Sequence, residues 1–315
     1  MKKITWVLLL VLSLSIIISG CTNKDNVVEV EEVAEDVEQV EFTNDIYMVT
    51  ADWLQENMER EDILVLDARG EEEHKKGHIK GALPVMWQAF SNMEGGPGQP
   101  NWGNVLDAED LSAKLSEYGI TKDKEIVVYT TSPNGWGEEG RIVWMLRRAG
   151  FENTKMLDGG YDYWSANGYE ISKDEVMPVS ASVEIETLND NTNITTEELN
   201  NKINDVVIID VRDKSEYEGA TKYGEARGGH LPSAINITFN EFLNKDGTLK
   251  TANEIQSILD DNGVEKEDEI VTYCTAGIRS AHMQIVLDMM GYENVKNYDA
   301  SFYAWAGNED LTVEK

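Results

Sequence analysis

Short runs of β-branched and apolar residues alternate along the chain with stretches whose apolar positions recur every three or four residues. Residues 63–66, 126–130, 206–209 and 269–273 read as buried strands. Between them, Asp107 is placed to cap a helix carrying Leu111, Leu115 and Tyr118, which Gly119 ends. Thr251 and Glu254 have the spacing of a capping box ahead of Ile255, Ile258 and Leu259. After the strand at 269–273, Met283, Val286, Leu287 and Met290 mark an amphipathic helix. Strand–helix alternation predicts an α/β fold of parallel sheets flanked by helices on both faces, with ligands at the carboxyl ends of the strands.

The pattern occurs twice. Gly150-Phe151-Glu152-Asn153-Thr154-Lys155-Met156-Leu157-Asp158 matches Gly291-Tyr292-Glu293-Asn294-Val295-Lys296-Asn297-Tyr298-Asp299 without a gap, and Trp164 then matches Trp305. Leu66-Asp67-Ala68-Arg69 answers to Ile209-Asp210-Val211-Arg212, and Gly77-His78-Ile79 to Gly229-His230-Leu231. The expected division is 46–175 for a first domain and 185–315 for a second. The boundary is expected near 172–185, where the polar stretch from Ser172 to Glu175 and Pro178 stand.

The N-terminal residues follow another pattern. Lys2 and Lys3 precede an apolar core at 4–18, which is short for a membrane-spanning helix. Ile18-Ser19-Gly20-Cys21 resembles the cleavage box of bacterial lipoproteins. That resemblance implies a signal peptide over 1–20, lipidation of Cys21, and an extracytoplasmic protein tethered to a bacterial membrane. Residues 21–45, rich in Glu, Asp and Val, read as an acidic flexible spacer.

The 315 residues carry 27 basic and 59 acidic side chains, a net charge of −32. This excludes a nucleic-acid partner, which requires basic surface. An anionic substrate would need positive charge concentrated at the site itself. With Cys21 assigned to lipid, Cys274 is the sole remaining thiol, and any sulfur it carries must leave to an external acceptor.

Cys274 stands in Tyr273-Cys274-Thr275-Ala276-Gly277-Ile278-Arg279, between a strand and a helix start. There, free backbone N–H groups and the helix dipole favour an anion and can lower a thiol pKa. A cysteine at such a place is either a buried structural residue or a reactive thiolate. Gly277, which lets the loop curl its amides inward, and Arg279, a fixed positive charge, favour the thiolate.

Ile209-Asp210-Val211-Arg212, Gly229-His230-Leu231-Pro232-Ser233-Ala234-Ile235-Asn236, the Cys274 loop and Tyr298-Asp299-Ala300-Ser301-Phe302 resemble, in order, the signatures of tandem rhodanese-type sulfurtransferases. The resemblance implies two rhodanese-like domains. It implies sulfane sulfur moved from thiosulfate or 3-mercaptopyruvate to a thiol or cyanide through a Cys274 persulfide, with no cofactor and no metal. Thr275, Ala276, Gly277, Ile278 and Arg279 would hold the substrate, and Arg227 resembles a donor-binding arginine. Four residues separate Cys274 from Arg279, a sulfur-sized loop. The related phosphatases use one residue more. Ala300 stands where the family pattern has glycine, so the local turn is expected to differ. The loop sequence matches neither the thiosulfate-specific nor the mercaptopyruvate-specific type.

Thr130 occupies the position of Cys274 in the first half, so that half is expected to be inactive and structural. An insertion over 86–105, with Trp87, Phe90 and Trp102, has the length to reach the second half's cleft. Asp210–Arg212 and Asp67–Arg69 read as structural ion pairs, and His78 and His230 as turn-stabilising. Three functions compete: a sulfurtransferase, a persulfide carrier or docking protein without turnover, and a phosphatase or arsenate reductase. Loop length and the lone thiol disfavour the last.

Overall fold

The computed structural model describes residues 40–315. The leader, Cys21 and residues 22–39 lie outside the described residues. The first half comprises β1 (Met48–Val49), α1 (Ala51–Asn57), β2 (Ile63–Asp67), α2 (Glu71–Lys76), β3 (His78–Ile79), β4 (Leu83–Pro84), α3 (Ala108–Tyr118), β5 (Glu125–Tyr129), α4 (Glu138–Arg148), β6 (Thr154–Leu157), α5 (Gly160–Ala166) and β7 (Ile171–Ser172). The second comprises α6 (Thr196–Asn201), β8 (Val207–Asp210), α7 (Lys214–Tyr217), β9 (Ile235–Asn236), α8 (Ala252–Asp261), β10 (Ile270–Tyr273), α9 (Ile278–Met289), β11 (Val295–Asn297) and α10 (Ser301–Gly307). The expected caps form: the Asp107 carboxylate accepts from the Asp110 amide, and Thr251 and Glu254 close a capping box.

Each half is a parallel sheet. The order is β1-β6-β5-β2-β4 in the first and β11-β10-β8-β9 in the second. The repeat extends to single bridges. Asn193 pairs in parallel with Asn297 of β11, where the first half has β1 beside β6. His230 bridges Glu314 as His78 of β3 pairs with Ser172 of β7.

Because strand side chains alternate between faces, each sheet feeds two cores. Leu66, Ile126 and Val128 from the first half join Ile209 and Ile270 from the second in one central cluster. Val65, Val127 and Tyr129 pack outward on the far face of the first sheet, and Ile208, Val271 and Tyr273 on that of the second. Helices α4 and α9 pack against each other within the central layer. Gly140 permits their approach, since a Cβ there would lie 2.6 Å from the His282 Cα. The amphipathic helix expected at α9 is instead buried all round: only Asp288 in it is even half-exposed. Sandwiched between its own sheet and α4, it has no solvent face, so its polar residues must find protein partners.

Two boundary segments are held in place. Beyond β7 the linker runs along α3, with the Val183 and Ile185 amides donating to the Ser116 and Ser112 hydroxyls at 3.0 and 2.9 Å. Residues 40–45, expected to belong to the flexible spacer, dock on the second half. The Val40 amide donates to Asn253 at 2.7 Å and the Thr43 amide to the Met289 carbonyl at 2.8 Å. A spacer can therefore end no later than residue 39.

Candidate active site

Cys274 follows the last residue of β10, and α9 begins four residues later. Gly277 makes the turn at φ 80°, a left-handed conformation in which a Cβ would sit 2.4 Å from the Asp299 carbonyl oxygen. The loop is fastened from behind by α10. The amides of Phe302 and Tyr303 donate to the carbonyls of Cys274 and Thr275, both at 3.1 Å. The Ser301 hydroxyl accepts from the Cys274 amide at 3.1 Å and donates to the Tyr298 carbonyl at 2.8 Å. Here the expected departure at Ala300 resolves. Ala300 keeps an ordinary φ of −67°, and the positive φ falls on Ser301 at 51°. The first half has Gly160 at the matching position, at 56°. A serine in this region costs on the order of 1 kcal/mol or more, and its hydroxyl is what anchors the cysteine.

The thiol is 1% exposed. Burial pushes its pKa up, but the Arg279 charge, the Ser280 amide and hydroxyl, and the Ala276 amide together hold it below the ordinary thiol value. The Ser280 hydroxyl lies 3.6 Å from Sγ. Arg279 does not face the sulfur alone. Its guanidinium grips the Glu216 carboxylate with two bonds of 2.9 and 3.0 Å and donates to the Thr275 hydroxyl at 2.9 Å. Thr275 in turn donates to Glu216 at 2.9 Å. Burial works against the Glu216 charge, yet Arg279 and Thr275 keep its carboxyl below the usual range. A fully buried carboxylate therefore fixes the arginine side chain beside the thiolate.

Above this loop lies a cavity of about 190 Å³. Of the expected substrate-holding residues, Thr275, Ala276, Ile278 and Arg279 line it together with Cys274. Gly277 turns the loop beneath it. The 86–105 insertion contributes Trp87, Pro97 and Trp102, as its length suggested; Phe90 packs away against Tyr118. Trp136, Tyr223 and Tyr303 complete the walls. The first half thus builds much of a cavity whose thiol belongs to the second. Arg141 of α4 reaches across as well, buried and bonded to Asp299, with the Gly103 carbonyl 2.7 Å from its other nitrogen.

Arg227 requires a correction. It does not line the cavity: its guanidinium donates to the carbonyls of Trp305, Ala306, Asn308 and Leu311 at 2.7–3.1 Å. It closes the carboxyl end of α10, where a cation meets orphan carbonyls and the negative end of the dipole. Asp210 and Arg212 form the expected buried pair at 2.6 Å, as do Asp67 and Arg69. His78 and His230 each place Nδ1 on a backbone carbonyl, of His74 at 2.9 Å and Tyr217 at 3.0 Å, and stack on that residue's ring.

A model of the rhodanese-like domain matches residues 50–167 and again 195–308. The chain belongs to the rhodanese-like family. A thiosulfate sulfurtransferase from Pseudomonas aeruginosa is 30% identical over 80% of this chain and 91% of its own length. A sulfur carrier protein from Thermus thermophilus is 27% identical over 85% of this chain and 96% of its own. The chain also shares its fold with the anaerobic ergothioneine biosynthesis enzyme of Chlorobium limicola, solved with trimethyl histidine, at a TM-score of 0.76. The two are 23% identical across 86% of this chain and 70% of that one. Family and relatives place this rhodanese-like chain among sulfurtransferases. The sequence reading did not single out Glu216, Ser280, Trp136, Tyr223 or Tyr303. For Glu216 a weak signal existed: it stands six residues after Asp210, as Glu73 does after Asp67.

Proposed function

We propose that this chain is a thiosulfate-type sulfurtransferase working through a persulfide on Cys274, anchored outside the cytoplasm by lipid on Cys21. The observation that carries the chemistry is a buried thiol with a lowered pKa, at a helix start, opening into a cavity too small for a folded protein partner. The Cys274 thiolate attacks the outer sulfur of thiosulfate. The S–S bond of the donor breaks, sulfite leaves with its electron pair, and a persulfide anion remains on Cys274. The Ala276 and Ser280 amides and Arg279 then stabilise the terminal sulfur as they stabilise the thiolate. Cyanide or a thiol bonds to that sulfur, the persulfide bond breaks, and Cys274 returns as thiolate.

Intact mass after incubation with thiosulfate tests this directly. The expected result is one added sulfur atom on the protein, absent in Cys274→Ser and removed by cyanide. If neither thiosulfate nor 3-mercaptopyruvate adds sulfur, the enzymatic reading falls and a carrier loaded by another protein takes its place. The anchor has its own test. Cys21→Ser should leave an unacylated chain, and N-terminal masses of the variant and the wild type isolated from bacterial membranes that differ by no more than the sulfur-for-oxygen exchange would remove the lipid proposal.

A further inference from the structure

Resting on the persulfide reading above, we propose that the cavity over Cys274 receives an acceptor thiol whose far end is an organic cation, of the quaternary ammonium kind, held by its aromatic walls. The cavity has two chemically distinct ends. At the inner end, the amides and Arg279 suit one sulfur anion, and Arg279 is the only positive side chain lining the cavity among the described residues. Glu216 holds the guanidinium through two bonds, which keeps its charge at the sulfur end of the cavity.

The walls have the opposite character. Trp87 and Trp102 meet edge-on at 5.7 Å, Trp102 meets Tyr303 at 5.7 Å, and Trp136 meets Tyr223 at 5.4 Å. These five rings run from the buried Trp87 and Tyr303, through the half-exposed Trp102 and Tyr223, to Trp136, which is 46% exposed. Ring faces attract cations, most strongly where water is excluded. Two buried carboxylates stand behind this wall. Glu216 is neutralised by Arg279. Glu225 is 7% exposed, and its Oε2 accepts from the Tyr223 amide at 2.8 Å while its Oε1 has no partner among the described residues. Burial pushes the Tyr303 phenol pKa up, and the Glu225 charge, close by, adds to that rise. Neither carboxylate is among the residues lining the cavity, but both charges act on the Tyr303 phenol, so a cation against that ring would meet the same negative field. The net charge of −32 adds long-range attraction of the same sign.

The transfer itself balances without a redox partner. The acceptor's sulfur bonds to the outer sulfur of the persulfide anion, and the Cys274 S–S bond breaks. Its electron pair returns to Cys274 as thiolate, and the acceptor's proton ends on the transferred sulfur.

Two arms test the proposal, at low and high salt so that the screened long-range field separates from ring contacts. In the first, choline and its neutral isostere 3,3-dimethylbutan-1-ol are titrated against tryptophan fluorescence of Cys274→Ser, which needs no sulfur chemistry. Choline should saturate at least about tenfold more tightly than the alcohol at both salt levels. Equal affinities, or no saturable choline signal, would overturn the proposal. In the second, thiocholine and 3,3-dimethylbutane-1-thiol compete as acceptors for the sulfur-loaded wild type. The cationic thiol should lead in kcat/KM by about tenfold, and Trp136→Leu, altered at an exposed position, should shrink that lead severalfold. A lead that vanishes at high salt, or survives Trp136→Leu undiminished, would assign the preference to net charge and reject the ring cage. Sulfur loading without choline binding sinks the cage alone; choline binding without sulfur loading sinks the persulfide reading alone.

Discussion

Arg279→Gln removes the one positive charge shared by the thiolate and a buried carboxylate, so it should damage stability and reactivity by separable amounts. In the wild type the Arg279 and Glu216 side chains are 10% and 0% exposed and joined at 2.9 Å. Without the guanidinium, Glu216 keeps only the Thr275 hydroxyl and the Asp213 amide, the latter at 3.2 Å. Stranding a buried charge in this way costs about 3–5 kcal/mol. The double variant Glu216→Gln/Arg279→Gln carries neither charge and should recover at least half of that loss, a non-additivity of about 2 kcal/mol in urea denaturation. The thiol follows a different order. The single variant loses the favourable charge and leaves Glu216 near the sulfur opposed only by the charge of Arg212, so the thiol pKa rises. The double variant loses both, and its thiol pKa rises less. Alkylation by iodoacetamide at neutral pH should therefore be fastest for wild type, slower for the double variant and slowest for the single one, with about tenfold for each ~1.4 kcal/mol of lost charge stabilisation. The pH dependence carries a sign of its own. The wild-type Glu216 carboxyl lies below its ordinary pKa, so its contribution to stability is present above the unfolded value and lost as pH falls through the folded one. In Arg279→Gln that carboxyl is raised, and the stability gap to wild type should narrow as pH falls and the stranded carboxylate protonates. If the alkylation profile of Arg279→Gln overlays that of wild type, Arg279 is only a clamp. If the double variant is as unstable as the single one, a stranded charge is not the cause.

Three further substitutions separate the parts of the site. Ser280→Ala removes the hydroxyl 3.6 Å from the sulfur but keeps the amide; alkylation at neutral pH should slow about three- to tenfold, with its acid limb moved to higher pH and the urea midpoint nearly unchanged. Gly277→Ala forces a side chain into φ 80° and against the Asp299 carbonyl; it should cost at least roughly 1–2 kcal/mol and abolish sulfur loading even where circular dichroism shows a folded protein. Arg227→Ala should lower stability by about 2 kcal/mol by uncapping α10, while the KM for thiosulfate stays within about twofold in the folded fraction; a large rise in KM would restore it to the donor site.

What could be read from the sequence was local. Strand runs, the Asp107 and Thr251 caps and the Cys274–Arg279 loop each lie within a dozen residues, where periodicity and capping chemistry act directly. The internal repeat supplied the rest of the architecture, because two copies of one pattern imply two copies of one sheet. What was missed depends on long-range contacts. Arg279 meets Glu216 across 63 positions, and Arg227 meets the end of α10 across about 80. In the first half Glu73, at the position equivalent to Glu216, lies exposed beside Lys76. The same letter at the same repeat position thus has two fates, decided by whether a buried arginine stands opposite. The all-round burial of α9 escaped for a related reason. The sequence pattern gives α9 an apolar stripe, and nothing local to it says that α4 of the other half covers His282 as well.

The two halves have diverged so that each supplies what the other lacks. In the second half, a short loop keeps sulfur, amides and Arg279 together. In the first, Thr130 stands at the position of Cys274, and its hydroxyl donates to Glu138 at 3.2 Å, an acid whose carboxyl burial holds above its ordinary pKa. A site so arranged would repel a thiolate. Freed from cradling an anion, the longer loop after Thr130 carries Trp136 outward to line the cavity, and α4 carries Arg141 across to Asp299 and the Gly277 carbonyl, the latter at 3.4 Å. Gly277 is the residue on which the turn after Cys274 depends. The first half therefore does more than cover a sheet face: it braces the turn from below through Arg141 and walls the cavity from above through Trp87, Trp102 and Trp136. Residues of the first half can then alter the shape of the cavity without touching Cys274 or its loop.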